Sequence, residues 1–149
     1  MNFTPRFPGR SAPRRYNQVS TFEFLARMKE MSNVTESLER LMELAGARSA
    51  ALVDSSSGMV LGHAGSDVGL DIAAAANTEV VRAQLKSTGA LGATDTIEDI
   101  IITLSTQYDI VRPLAKNPAI FLYLAMDKNK SNLALARYKA EECEAQLQL

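Results

Sequence analysis

Between residues 34 and 148 the apolar positions switch between a helical period and a strand period, and the switches predict the order of elements. Val34, Leu38, Leu41, Met42 and Ala45 recur at i, i+4, i+7, i+8 and i+11, which is one face of a helix. Asn33, with Glu36 three residues on, is a helix-start signal, and Gly46 supplies a left-handed stop. Short apolar runs at 49–53 and 59–63 enclose Asp54-Ser55-Ser56-Ser57-Gly58, so the pair reads as a β-hairpin with Asp54 bonding the amides of the turn. A second helix pattern spans about 70–87, before Gly89, and carries four successive alanines at 73–76. So little side-chain bulk permits close approach of another backbone, either the sheet beneath or the same helix of a second chain.

Three strand patterns follow at 97–105, 108–114 and 119–126, with connections short enough for an antiparallel meander. The run Ile120-Phe121-Leu122-Tyr123-Leu124-Ala125-Met126 is apolar on both faces, which predicts a strand at the centre of the sheet. Leu133, Ala136, Ala140, Cys143 and Leu147 step by 3, 4, 3 and 4 residues and predict a closing helix. Upstream, Phe22, Phe24, Leu25 and Met28 fall near helical spacing in a segment set apart by Ser32-Asn33, which predicts a short amphipathic helix of its own. The fold class is α+β: one five-stranded, mainly antiparallel sheet with flanking helices in the order α-β-β-α-β-β-β-α, preceded by a short extra helix.

Composition changes this picture at one end. The net charge is -1, but residues 1–20 hold Arg6, Arg10, Arg14 and Arg15 and no acid, which leaves 12 basic against 17 acidic residues, or -5, for the remainder. Pro5, Pro8, Gly9 and Pro13 interrupt any regular pattern there, so a disordered basic arm is expected over 1–20, then a short helix or linker over 21–32 and the main domain over 33–149. Phe3, Phe7 and Tyr16 interleave with the arginines, an arrangement suited to bases or to an anionic membrane surface; the alternative is a solvated tail. The acidic remainder argues against nucleic acid, whose phosphates it would repel. Cys143 is the only cysteine, so no intramolecular disulfide forms. No apolar run approaches the roughly 20 residues of a spanning helix, and the N-terminus lacks the apolar core of a signal peptide, so a cytoplasmic protein is expected.

Three segments together carry a resemblance. The hairpin from Val53-Asp54 to Gly58-Met59-Val60-Leu61, the strand end Tyr108-Asp109-Ile110-Val111-Arg112-Pro113-Leu114, and Asn132-Leu133-Ala134-Leu135-Ala136-Arg137 resemble the roadblock/dynein light chain superfamily in order and spacing over about residues 34–147. One departure is the hairpin turn, with three residues between Asp54 and Gly58 where many members have two. The resemblance implies a non-enzymatic scaffold. Such proteins typically dimerise by joining third strands edge to edge and crossing second helices, and bacterial members commonly partner Ras-like GTPases. Some accelerate hydrolysis by repositioning the partner's own catalytic residues, without an arginine finger. Carried onto this chain, the resemblance implies a homodimer interface containing Ala73, Ala74, Asn77, Val81, Ile100 and Ile102.

Candidate chemistry adds little to set against that. No lysine follows a glycine and no Gly-x-Gly occurs, so phosphate-binding loops are absent from the sequence. His63, the only histidine, makes no plausible metal set with Cys143 and reads as a strand-end residue facing solvent or the core. Adjacent Glu98 and Asp99 point to opposite faces of a strand and read as solvated edge charges, and Glu141, Glu142 and Glu144 as an exposed helix face. No catalytic residue, cofactor or metal is therefore expected. The alternative function is a small-ligand sensor of profilin-like or related fold, which needs a roomy apolar cavity with a few convergent polar groups.

Overall fold

The computed structural model describes residues 20–66, 68–92 and 94–149. Its elements are α1 (Thr21–Leu41), β1 (Ala47–Asp54), β2 (Met59–Gly65), α2 (Leu70–Ala90), β3 (Ile100–Thr103), β4 (Gln107–Pro113), β5 (Ile120–Asp127) and α3 (Leu133–Gln146). The five strands form one antiparallel sheet in the order β2-β1-β5-β4-β3, in the predicted succession α-β-β-α-β-β-β-α. The expected basic arm, Ser20 excepted, lies outside the described residues.

β5 takes the centre, paired with β1 on one side and β4 on the other, and its two apolar faces each meet a helix layer. Leu122, Leu124 and Met126 pack with Leu38 and Leu41 of α1 and with Ala136, Ala140 and Cys143 of α3. Phe121, Tyr123 and Ala125 face the other way, toward Ala74 and Val81 of α2. The period-2 alternation of β1 and β4 divides in the same manner, with Leu52 and Ile110 toward α1 and α3, and Val53 and Val111 toward α2.

The N-terminal region differs from expectation. The short extra helix and the helix starting at Asn33 are one unbroken helix, α1, which also stops at Leu41 rather than running to Ala45. Its cap is Ser20, whose hydroxyl oxygen accepts from the Glu23 amide at 3.2 Å, a Ser-x-x-Glu pair one segment earlier than the one predicted. Asn33 is spent elsewhere: its side-chain oxygen accepts from the Gln148 amide at 3.0 Å and holds the C-terminal segment. The impression of two helices arises because the amphipathic face switches. Glu23, Arg27 and Glu30 continue, at 4- and 3-residue steps, into Val34, Leu38 and Leu41, so one line along α1 is polar in its first half and buried in its second.

Two glycines on β2 bring layers close. A Cβ at Gly62 would stand 2.7 Å from Val34 Cγ1, and Gly65, at φ 90, leaves no room for one beside Arg48 O and Ser49 Cα. Gly46 has the expected positive φ, 82, but it closes the turn into β1 rather than ending the helix. α2 runs through Gly89 to Ala90, past its expected end.

Candidate interaction surface

α2 lies over β1, β2 and β4 and is latched at the hairpin. Arg82 donates through Nε to Ser55 O at 2.7 Å and through Nη2 to Ser56 O at 2.8 Å. The turn itself is tied as predicted, with Asp54 Oδ1 accepting from the Ser56 amide at 2.8 Å and from its hydroxyl at 2.6 Å, while Ser57 Oγ donates to Oδ2. The hydrogen bonds from Ser56 hold the Asp54 carboxyl below its usual pKa, and both its oxygens are committed to the turn. His63 stands exposed on edge strand β2, opposite Ala51.

With Arg82 fixing one flank of α2 against the hairpin, the opposite flank carries Ala73, Ala76, Val80, Ala83 and Ser87 at steps of 3, 4, 3 and 4. Ala76, Ala83 and Ser87 are exposed and Ala73 and Val80 half-buried. This flank lies on the side of β3, the outermost strand, whose far edge pairs with nothing among the described residues. Ile100 and Ile102 sit on the α2 face of β3, opposite Val111 and Asp109, and remain half-buried.

Of the six residues implied for a dimer interface, Ala73, Ile100 and Ile102 are half-buried and so belong in part to the accessible surface on the α2 side of the sheet. Ala74 and Val81 do not belong to it, because both are wholly buried against the chain's own sheet. Asn77 is buried as well and donates to Ala73 O at 2.9 Å within its own helix. The phase of the helix decides this: the alanine run wraps around α2, so only part of it can face outward.

β3 spans Ile100–Thr103 rather than 97–105. One more residue pair would set Asp99 opposite Arg112, and the next would need a backbone N–H that Pro113 lacks. Asp99 is not a solvated edge charge. Its carboxylate, 8% exposed, accepts from Arg137 Nε at 2.8 Å and lies 3.9 Å from Arg112 Nη1, while Arg112 Nε donates to Glu144 at 2.5 Å. Glu144 likewise leaves the exposed face predicted for it, since its other oxygen accepts from the Ala115 amide at 2.6 Å. Two arginines and two carboxylates thus pin the approach to β3, strand β4 and helix α3 together.

A second polar chain crosses the sheet face beside Ile102. Arg48 donates to Gln107 Oε1 at 2.8 Å, Gln107 Nε2 donates to Asp109 Oδ1 at 2.6 Å, and the Tyr123 hydroxyl reaches the same oxygen at 3.1 Å. Arg48 also lies 3.4 Å from Asp127, whose carboxyl is held below its usual pKa by the Asn129 amide first and by Arg48 after it. No group of three or more potential ligands is placed to hold a metal ion among the described residues.

No protein-family model and no curated protein matches the sequence. Solved structures do. Myxococcus xanthus MglB is similar with a TM-score of 0.70 at 17% identity, over 80% of this chain and 87% of that one. The gliding protein MglB of Thermus thermophilus gives 0.67 at 21% identity, over 79% and 87%, and a roadblock/LC7 domain from Streptomyces avermitilis 0.62 at 15%, over 75% and 89%. The chain has a roadblock-type fold.

Within that roadblock-type sheet, sequence reading missed Asp109 and Arg112. Both interrupt an otherwise apolar strand pattern at 108–114, and an ionisable group among inward-facing positions is a signal for a buried polar network. The outward flank of α2 was legible too, as small residues at 73, 76, 80, 83 and 87, once the phase was set by Arg82. A cleft of about 1050 Å³ opens between α1, the end of α3 and the turn after β4. Among the described residues, no helix is long and apolar enough to cross a membrane.

Proposed function

We propose that this protein is a dimeric, non-enzymatic regulator or scaffold that binds a small Ras-like GTPase. The observation that carries the reading is the junction of β3's open edge with the small-residue flank of α2, in a fold shared with two MglB proteins. An unpaired edge invites a second strand, and the alanines beside it let two helices approach closely. A two-fold axis beside β3 would join two five-stranded sheets into one and cross the two copies of α2 above it.

The resemblance of the hairpin, strand-end and helix-start motifs to roadblock proteins supports the GTPase as partner. A surface without catalytic groups can still accelerate a partner's reaction if it binds the reactive loop conformation better than the resting one. A preference of about 1.4 kcal/mol shifts that equilibrium tenfold. Arg48 and Gln107, the accessible end of the polar chain that continues inward to Asp109 and Tyr123, offer directional contacts beside Ile102.

Sedimentation at tens of micromolar tests the dimer, and monomer at that concentration would exclude it. Ala76→Arg is the discriminating variant, because Ala76 is exposed and its replacement should leave a folded monomer. Affinity capture from cell lysate with GTP-analogue or GDP present tests the partner. A small GTPase recovered in one nucleotide state is the expected outcome; no GTPase in either state would defeat the reading.

A further inference from the structure

The first three turns of α1 project apolar side chains that no strand or helix among the described residues covers. Phe22, Phe24, Leu25, Met28 and Met31 are between 53% and 82% exposed, whereas α1 buries Val34, Leu38 and Leu41 further on. This is not a core face left uncovered by fraying. At about 100° per residue, the stripe of Phe24, Leu25, Met28 and Met31 is centred roughly 120° around the helix from the line that meets the sheet. That line is occupied in the first turns by Glu23, Arg27 and Glu30. No rigid closing of the helix onto its domain can therefore cover the stripe.

Immediately before it the sequence carries Arg6, Arg10, Arg14 and Arg15 without a single acid, and Phe3, Phe7 and Tyr16 among them. We propose that the apolar stripe of α1 is a peripheral membrane-binding surface that enters an anionic lipid layer, the arginine-rich sequence before it supplying attraction to the headgroups. The chemistry is complementary on both counts. One amphipathic segment or one basic cluster alone gives marginal attachment, and the two together add their free energies. Phe24, Leu25, Met28 and Met31 on a helix lying in the interface supply the apolar contribution, and each arginine near the surface adds an electrostatic one. A second copy of the chain is a poorer occupant. Helices of some three turns bury far less than the roughly 1,200 Å² of a stable interface. Because α1 lies on the sheet face opposite α2, docking in this way leaves α2 and β3 free.

The test is co-sedimentation of the full chain with vesicles of phosphatidylcholine containing about 30% phosphatidylglycerol, beside vesicles of phosphatidylcholine alone. Binding to the anionic vesicles only, weakened by added salt, is expected. The double variant Phe24→Ser/Met28→Ser should lower the partition coefficient by about tenfold or more. Serine replacement of Arg6, Arg10, Arg14 and Arg15 should abolish the dependence on anionic lipid. Both variants alter exposed or arm positions, and unchanged circular dichroism and thermal midpoints verify that each is folded. No binding to anionic vesicles would overturn the proposal. So would a stripe variant that binds like the parent, or one whose sedimentation coefficient falls, since the stripe would then serve a second copy instead.

Discussion

Without the Arg112 guanidinium, Asp99 and Glu144 would share one nearly closed site with only Arg137 beside Asp99. Truncation of one partner in such a network strands charge away from water, so Arg112→Ala should destabilise the domain by about 3 kcal/mol in urea unfolding. The double variant Arg112→Met/Glu144→Gln should recover most of that loss. A titration argument applies to Cys143, whose thiol is pushed up to about 11 by burial under α1. In the unfolded chain the thiol ionises at lower pH, so at pH values between the two the unfolded state binds fewer protons and stability falls as pH rises. The expected result is a decline setting in above about pH 9, absent in Cys143→Ala, with the native thiol inert to alkylation at neutral pH. Residue-scale features of this kind were the least legible in the sequence. Glu144 looks like its neighbours Glu141 and Glu142, and only the arrival of a strand arginine 32 positions away turns it inward.

Elements were read more successfully than their ends. Strand-centre runs such as Ile120-Phe121-Leu122-Tyr123-Leu124 identify themselves because both faces must be covered, and β5 is the central strand. Boundaries depend on tertiary partners: β3 shortens because Asp99 goes to two arginines, and α1 passes through Ser32-Asn33 because Asn33 has a partner in Gln148. The glycines separate local strain from crowding. Gly65 and Gly69 both have positive φ, at 90 and 91, but an added Cβ meets Ser49 Cα at 2.8 Å in the first case and nothing within 4 Å in the second. Gly69→Ala should then cost about 1 kcal/mol for backbone strain alone. Gly65→Ala should cost two to three times as much by the added overpacking, roughly 2–3 kcal/mol, in the same thermal or urea unfolding assay.

At the scale of the molecule, the proposed dimer through β3 and α2 would make stability depend on concentration. The thermal midpoint of the parent protein should rise as protein concentration increases, and Ala76→Arg should remove that dependence while leaving a cooperative transition. The central place of β5 also bears on how the chain is made. β1 forms no backbone ladder with β4 or β3, so within the sheet the hairpin β1–β2 reaches the hairpin β3–β4 only through β5, a strand that begins at Ile120. A ribosome that has delivered residues up to 118 has produced two small ribbons whose facing edges are unpaired, each too small to persist alone, with the central strand of both helix-packed layers still missing. Emergence of β5 closes both gaps at once, pairing Val111 with Tyr123 in the adjoining hairpin and Val53 with Phe121 across a long stretch of sequence. Synthesis therefore ends in a single concerted zippering rather than a growing native core, and nascent chains halted before Ile120 should be protease-sensitive and chaperone-bound, while those that have exposed all of β5 and α3 should not.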